Sequence, residues 1–382
     1  NSSQSEKSQP AEQTTVQPTT MSAEEINDRK LDKFISDMTL EEKVGQMFFV
    51  RCPDEGAVQQ VSEYNIGGYI LFGRDFDGKT KDEVLDDIHS YQNEADIPLL
   101  IGVDEEGGTV VRVSSNPNLR ETPFLSPKDT YADGGWDAVK QDAEEKADLL
   151  LSLGINVNLA PVCDMTSDEY GFMYDRSFSS DVDMENRYVR TVVETSKSKK
   201  LGTVLKHFPG YGNNSDTHTG IAYDDRDYSE FENTDFKPFY QGIESGADCI
   251  LVSHNIVNCM DSEYPASLSQ KVHDILRNEF KFDGVIMTDD LIMDAITDFT
   301  GDEAAAVTAA KCGNDLLCCS SVDTQYPAVL EAVQNGEIPE AQVDASVKRI
   351  LKWKQNLGIF NIDTYQKKVK STEPTDTVES EE

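Results

Sequence analysis

The sequence predicts an α/β protein built as a single (β/α)8 TIM barrel, with a disordered N-terminal linker and a short acidic C-terminal tail. Short apolar runs rich in β-branched residues alternate with amphipathic helical patterns, which is typical of a parallel sheet with crossover helices. Charged residues and histidines cluster directly after these runs, and in a barrel the carboxyl ends of the strands converge on one site. An open, doubly wound sheet of fewer strands is the alternative that periodicity alone leaves open.

The predicted elements follow one another in a regular order. The strands are Gly45–Val50, Ile66–Phe72, Pro98–Val103, Ile155–Leu159, Gly202–Lys206, Cys249–Ser253, Gly284–Thr288 and Asp315–Cys319. The helices are Thr80–Asn93, Trp136–Leu153, Met184–Lys199, Phe236–Ser245, Gln270–Phe280, Asp302–Lys311 and Gln342–Leu357. The Ser-Leu-Ser-Gln stretch from Ser267 offers helix N-caps, while Gly154 and Gly246 stand where helix C-caps are expected.

Composition divides the chain into three zones. Residues 1–23 are rich in Ser, Gln, Thr, Glu and Pro, which cannot bury a core, and we expect them to form a disordered linker. Residues 24–363 are periodic and form the predicted catalytic domain, and residues 364–382 form a polar, acidic tail. Such a linker often follows a cleaved export signal or a lipid-anchored cysteine, and the chain starts at Asn1 rather than Met. We therefore expect an extracellular or cell-surface protein, with a cytosolic one as the alternative.

The overall charge and the cysteines exclude several classes of partner. A formal net charge of −37 argues against binding to nucleic acid or to anionic lipid, and is compatible with a neutral sugar. The seven cysteines lack metal-ligand spacing, and their odd number argues against a full disulfide framework. We expect them to be small buried apolar residues. The chain has no apolar run long enough to span a membrane.

A pair of acids follows the predicted strand Gly284–Thr288. A carboxylate at the end of an apolar strand lies at the mouth of a barrel, where it can attack an electrophilic carbon. The alternative is that Asp289 or Asp290 caps the next helix, since Asp is a favoured N-cap. Two adjacent acids permit both roles, so we assign attack to Asp289 and a capping or support role to Asp290.

A constrained loop follows the strand Gly202–Lys206. Lys206 and His207 close the strand, and after two glycines and a proline the loop presents Asp216 and His218. An Asp two residues from a His can bond one imidazole nitrogen and so fix the tautomer, which leaves the other nitrogen to face a substrate. The alternative is a polar loop whose histidine is incidental.

Two further clusters contain groups suited to binding a sugar. Asp104 ends a strand within Gly-Val-Asp-Glu-Glu-Gly-Gly, and a carboxylate can accept hydrogen bonds from two hydroxyls at once. A tight turn with solvated acids is the alternative for this run. Arg176, in Asp-Arg-Ser-Phe, can present a planar donor to a substrate oxygen or form a surface ion pair, and spacing does not decide between these.

Taken in this order, the clusters resemble glycoside hydrolase family 3, specifically its bacterial single-domain β-N-acetylglucosaminidases. The resemblance covers about residues 30–358. Its most specific marker is the stretch Lys206-His-Phe-Pro-Gly, and the Asp-x-His that ends at His218 is the hallmark of the N-acetylglucosaminidase branch. The resemblance implies the (β/α)8 fold, in agreement with the strand count.

The resemblance also implies a role for each site residue. Asp289 matches the family's nucleophile, His218 its acid/base and Asp216 the partner of that histidine. The residues that match those holding the terminal sugar are Asp104, Arg112, Arg176, Lys206 and His207.

The implied activity is that of a retaining exo-β-N-acetylglucosaminidase. It would remove terminal GlcNAc from peptidoglycan fragments or chito-oligosaccharides through a covalent glycosyl-enzyme on Asp289. The resemblance implies no metal and no cofactor, and we expect a monomer whose partner is a small GlcNAc-containing carbohydrate. The alternatives are a phosphorylase or β-glucosidase on the same barrel, and a non-catalytic lipoprotein that binds the cell wall. The Asp216–His218 pair argues against a glucosidase, and the intact nucleophile argues against a pure binder.

The chain departs from the family pattern at several positions. Tyr211 stands where the family usually has His, and Thr109 stands where Arg is frequent. The loop through Asn213-Asn214-Ser215 is often one residue longer, and Ile221-Ala222 replaces the common Leu-Pro. These differences leave the chemistry-bearing residues unchanged.

Overall fold

A computed structural model describes residues 21–213, 220–293, 296, 299–300 and 302–367. Numbered in chain order, its strands β1 to β10 are Phe48–Arg51, Gly68–Leu71, Leu100–Val103, Val157–Asn158, Gly202–Phe208, Tyr223–Asp224, Cys249–Val252, Ile256–Val257, Val285–Thr288 and Leu317–Cys319. Its α-helices are Ala23–Ser36, Leu40–Gln46, Ala57–Tyr64, Lys81–Glu94, Pro127–Ser152, Val182–Lys199, Tyr228–Asn233, Phe236–Glu244, Gln270–Asp274, Asp302–Lys311, Val322–Gln334 and Glu340–Asn356.

The strands form a parallel barrel. An eight-stranded sheet has the order β10-β1-β2-β3-β4-β5-β7-β9, and every pairing in it is parallel. Its two edges meet through a parallel bridge between Met287 and Leu316, and the backbone N–H of Thr288 donates to the Leu316 carbonyl at 3.1 Å. The predicted barrel is therefore confirmed, and each predicted strand overlaps one barrel strand. β6 and β8 form a separate parallel pair that the sequence did not predict.

Successive side chains along a strand point to opposite faces of the sheet, so the core has two regions, one outside the barrel and one inside it. In β1, Phe48 and Val50 pack toward the surrounding helices, whereas Phe49 faces the barrel interior. Inside the barrel Phe49 joins apolar residues of the other strands, including Cys249 and Cys318. The last helix adds Trp353 to this interior cluster, against Gly202 at the start of β5. Packed side chains thus fill the barrel interior toward its amino-terminal end.

Two predicted helix ends and one predicted helix start agree with the structure. Gly154 and Gly246 follow helix ends with φ of 81° and 93°, as their predicted C-cap role requires. The long helix Pro127–Ser152 is interrupted at Gly134 and Gly135, so its second part starts where the predicted helix starts, at Trp136.

Several helices were not predicted. Ala57–Tyr64 is short and is preceded by Gly56, which offers no side-chain cap. Val322–Gln334 contains Pro327, a residue that argues against a helix interior. Ala23–Ser36 and Leu40–Gln46 begin with complete capping boxes, so their signal was present in the sequence. No helix in the described part of the chain is both long enough and apolar enough to cross a membrane.

Candidate active site

A cavity of about 370 Å³ lies at the carboxyl end of the barrel, within the size range of small-ligand sites. Every barrel strand, or the residue directly after it, contributes to its wall. The lining residues are Arg51, Ile70, Phe72, Asp104, Glu106, Val110, Arg112, Leu159, Arg176, Lys206, His207, Leu251, Asp289, Asp290, Ile292, Met293 and Cys318.

A buried cluster of opposite charges occupies the β3–β5 side of this cavity. Lys206 Nζ lies 2.6 Å from Asp104 Oδ1 and 2.6 Å from Glu106 Oε1. Burial alone would raise the pKa of Glu106, but the charges of Lys206 and Arg176 outweigh it and hold that pKa well below the usual range. Burial likewise opposes the charge of Lys206, and its two carboxylates nevertheless raise its pKa. Glu106 and Lys206 therefore both carry their charges at neutral pH.

Arg176 joins this cluster to His207. Its guanidinium makes a two-point contact with Glu106, through Nε at 3.0 Å and Nη2 at 2.7 Å. Nη2 also lies 3.2 Å from His207 Nε2, and His207 Nδ1 lies 2.7 Å from Asp164 Oδ2. Because a guanidinium can only donate, Nε2 accepts and Nδ1 carries the proton that it donates to Asp164. The two contacts fix the orientation of the imidazole from both sides.

Asp164 is a buried anchor for the loop after β5. Besides the imidazole, it accepts the backbone N–H of His207 at 2.9 Å and that of Tyr211 at 2.7 Å. Tyr211 is 2% exposed, and its ring packs 5.3 Å from the ring of His207. Tyr211, which stands where the resemblance implies a histidine, is thus a buried packing partner of His207.

Glu105 shapes the segment that carries Arg112. Its carboxylate is fully buried and accepts the backbone N–H groups of Arg112 at 2.8 Å, Val113 at 2.7 Å and Ser114 at 3.2 Å, together with the Ser114 hydroxyl. Its own backbone is held by the side-chain amide of Asn158 at 3.0 and 3.1 Å. The carboxylate thereby fixes the loop from which Arg112 reaches the cavity.

We expect Glu105→Gln to lower the free energy of unfolding by about 2–4 kcal/mol, because an amide group would meet several N–H donors with one fewer acceptor atom. Urea denaturation of the variant checks this. The matched control is Glu121→Gln at an exposed position, which should change the stability by less than about 0.5 kcal/mol. Equal effects of the two substitutions would contradict the assigned role of Glu105.

Asp289 and Asp290 follow β9 at the rim of the cavity. The N–H of Asp290 donates to Asp289 Oδ1 at 2.8 Å, and the Ser320 hydroxyl donates to Asp290 Oδ2 at 2.6 Å. Burial raises the pKa of Asp290, although the bond from Ser320 opposes this shift. The Asp290 carbonyl lies 2.9 Å from Nε2 of the buried His254, so that histidine supports the backbone beneath the two acids.

The predicted pair Asp216 and His218 lies outside the described residues. The neighbouring residues that are described are held firmly. Thr166 donates through its hydroxyl to Asn213 Oδ1 at 2.7 Å, and Arg226 Nη2 donates to the Gly210 carbonyl at 3.1 Å. Arg226 also forms ion pairs with Asp224 at 2.8 Å and Asp235 at 2.9 Å.

The structure brings together every predicted site residue that it describes. These residues, which all line the one cavity, are Asp104, Arg112, Arg176, Lys206, His207 and Asp289. The sequence did not indicate roles for Glu105, Glu106, Arg51 or Asp164. The described residues include no group of three or more His, Cys, Asp or Glu side chains suited to hold a metal ion.

Comparison with known proteins gives one consistent family. The family model described as the glycosyl hydrolase family 3 N terminal domain matches residues 39–353. A β-hexosaminidase of Hydrogenovibrio crunogenus is 31% identical over 286 residues, covering 73% of this chain and 79% of that protein. The β-hexosaminidase LpqI of Mycobacterium tuberculosis is 31% identical over 327 residues, covering 81% of each.

Solved structures agree with this match. A glycoside hydrolase family 3 β-N-acetylglucosaminidase from Paenibacillus sp. str. FPU-7 superposes with a TM-score of 0.79 and 29% identity, covering 90% of this chain. This chain spans 66% of the length of that Paenibacillus protein. The M. tuberculosis LpqI structure superposes with a TM-score of 0.75 and 27% identity, covering 85% of this chain and 96% of that one.

Proposed function

The chain belongs to glycosyl hydrolase family 3, and from this premise we propose that it is a retaining exo-β-N-acetylglucosaminidase whose nucleophile is Asp289. It is a glycoside hydrolase of the β-hexosaminidase type, as its relatives are named. One observation carries the proposal. The carboxylate after β9 shares a single cavity with the buried group of Asp104, Lys206, Arg176 and His207.

The β3–β5 side of the cavity is suited to hold the terminal sugar. Sugar hydroxyls both donate and accept, so a wall of alternating carboxylates and cations can match several of them at once. Asp104 offers acceptor oxygens, while Lys206 and Arg176 offer donors. Glu106 holds both cations in place, and Lys206 in turn holds Asp104. A sugar held in this way would present C1 to Asp289, so the contacts that bind the sugar would also orient it for attack.

The proposed chemistry has two steps. In the first, an oxygen of Asp289 attacks C1 as the glycosidic C–O bond breaks, and His218 protonates the departing oxygen. In the second, water gives a proton to His218 and attacks C1, which breaks the ester bond to Asp289. Two inversions at C1 give net retention. Asp216 would orient His218, and both residues enter this proposal from the sequence.

We propose GlcNAc-containing peptidoglycan fragments as the natural substrates, with chito-oligosaccharides second, and action outside the cell or at its surface. The net charge of −37 is compatible with a small carbohydrate partner, and the composition of residues 1–23 supports a surface location.

Release of p-nitrophenol from the β-GlcNAc and β-glucoside substrates, each with and without phosphate, tests the proposal. We expect selective hydrolysis of the GlcNAc substrate, with the β-anomer of free GlcNAc as the first product seen by NMR. Preference for the glucoside would contradict the role of Asp216 and His218. Formation of GlcNAc-1-phosphate would identify a phosphorylase, and an α-anomer as first product would exclude retention.

A further inference from the structure

One arginine contacts the chain on both sides of the segment that carries Asp216 and His218. Before that segment, Arg226 Nη2 donates to the carbonyl of Gly210 at 3.1 Å. After it, the same guanidinium binds Asp224 through Nη2 at 2.8 Å and Nε at 3.1 Å. Among the described residues, Arg226 is not part of the cavity wall. Any effect of Arg226 on catalysis would therefore pass through the chain positions that it holds.

The guanidinium of Arg226 is itself fixed from a third direction. Its Nη1 donates to both oxygens of Asp235, at 3.1 and 2.9 Å, and its carbon lies 4.2 Å from the ring centre of Phe231. Asp224, Asp235 and Phe231 are all buried. All three nitrogens of the guanidinium thus donate to acceptors at once, in the planar arrangement that an arginine has and a lysine lacks.

Two glycines after β5 pack directly against this ion pair. Gly212 has a φ of 54°, and a Cβ at this position would lie 2.8 Å from the guanidinium carbon of Arg226. Gly210 has a φ of 120°, and a Cβ there would overlap with the carboxylate of Asp235. Only glycine lets the backbone pass so close to the two charged groups. The path of the chain before the segment 214–219 is therefore set by Arg226 and Asp235.

Further contacts hold the same two flanks. Before the segment, Asn213 Oδ1 accepts the hydroxyl of Thr166 at 2.7 Å. After it, the carbonyl of Ala222 accepts the backbone N–H of Ile256 at 2.8 Å, next to the paired strands β6 and β8. Both flanks are thus anchored to other parts of the chain, and Arg226 contacts both of them.

We propose that Arg226 is a positioning residue for proton transfer, because it sets the distance between the two flanks of the segment that carries Asp216 and His218. The inference rests on the proposed function, in which His218 protonates the departing oxygen. The distance between the ends of a short segment limits where its side chains can lie. A general acid must lie within hydrogen-bond reach of the oxygen that it protonates, so displaced flanks would slow this step above all.

The dependence of rate on the leaving group tests the proposal. The phenyl β-GlcNAc oxygen needs a proton as its bond breaks, whereas 2,4-dinitrophenolate is stable enough to leave without one. Arg226→Lys keeps the charge beside Asp224 and Asp235 but not the planar set of donors. In this variant we expect kcat/KM for the phenyl substrate to fall about 10-fold more than kcat/KM for the dinitrophenyl substrate. An equal fall on both would overturn the proposal, because a purely structural defect affects all substrates alike.

Arg277→Lys is the matched control. Arg277 also binds a buried carboxylate, that of Asp315, and donates to two backbone carbonyls, those of Phe282 and Gly284. These partners precede β9 and β10, at the end of the barrel away from the cavity. The control should therefore change kcat/KM for both substrates by the same factor. A selective fall on the phenyl substrate in Arg277→Lys as well would contradict a specific role of Arg226.

A second variant disturbs the same contact and leaves Arg226 in place. In Gly212→Ala the added methyl group would push the guanidinium away from the Gly210 carbonyl, so we expect the same selective fall on the phenyl substrate. The control is Gly336→Ala, at a glycine with a φ of 81° and open space around it in the described part of the chain. It adds backbone strain away from the site and should change both rates equally. An equal fall on both substrates in Gly212→Ala would count against the proposal.

Hydrogen exchange followed by mass spectrometry separates failure of this proposal from failure of the proposed function. We expect peptides that cover residues 209–213 and 220–224 to exchange faster in Arg226→Lys than in the wild type, with no such change in Arg277→Lys. Unchanged exchange in Arg226→Lys would overturn the proposal, whatever the protein hydrolyses. A wild type inactive on both substrates, with exchange altered as expected, would contradict the proposed function instead.

Discussion

Asp289→Ala should lower kcat on p-nitrophenyl β-GlcNAc by about 10⁴-fold or more, because the proposed two-step reaction depends on a glycosyl-enzyme formed at this carboxylate. The side chain lies half-buried at the rim of the barrel rather than in its core, so the shorter residue should leave the fold intact. Circular dichroism and the urea midpoint check the fold, and stopped p-nitrophenol assays measure kcat. A residual rate within 100-fold of wild type would exclude Asp289 as nucleophile.

Azide distinguishes loss of the nucleophile from a general defect. In Asp289→Ala a small anion can enter the vacated space and attack C1 directly, which gives a glycosyl azide of inverted, α configuration and partly restores p-nitrophenol release. The control is Asp290→Asn, which keeps Asp289 and should yield no azide product. Its rate of p-nitrophenol release should fall to the extent that the hydrogen bond from Ser320 to Asp290 supports the site. Azide adduct from Asp290→Asn and none from Asp289→Ala would reverse the assignment of the two acids.

The barrel was predictable because its signals are local. Each barrel strand is a short apolar run, and polar residues follow most of these runs directly, as Asp104 follows β3 and Asp289 follows β9. Parallel strands place these positions at one end of the sheet, so convergence on a cavity followed from topology alone. The same reasoning could not find the pair β6 and β8, because each strand has only two residues and their pairing depends on contacts distant in sequence.

The different partners of the three carboxylates in the run Asp104-Glu105-Glu106 were not predicted. Extended backbone sends alternate side chains to opposite faces, which puts Asp104 and Glu106 on Lys206 and turns Glu105 toward the backbone of the Arg112 segment. The alternation rule could have suggested this split. The partners themselves lie in segments distant in sequence, and only the folded chain shows which carboxylate meets which donor.

Lys206→Met is expected to lower the free energy of unfolding by about 3–5 kcal/mol, the usual effect of removing one member of a buried charge cluster. Lys206 is 2% exposed, and its loss would leave Asp104 without its cation and Glu106 with Arg176 alone. Urea denaturation at pH 7 measures the effect. The control is Lys30→Met, since the exposed pair of Lys30 with Asp363 should contribute less than about 1 kcal/mol.

Acidification should narrow the difference between wild type and Lys206→Met. The pKa of Glu106 is lower in the folded state than in the unfolded chain, so its ionisation stabilises the wild type above the ordinary glutamate pKa of about 4.3 and this stabilisation is lost as the pH falls below it. Below that pH the unfolded chain takes up a proton at this residue while the folded wild type resists protonation, so stabilisation is lost. In the variant only Arg176 remains to lower the pKa of Glu106, so less stabilisation is lost on acidification. Urea titrations at pH 7 and about pH 3 should therefore give a smaller gap at the lower pH. A gap that stays constant would mean that packing of the lysine stem, rather than its charge, sets the cost of the substitution.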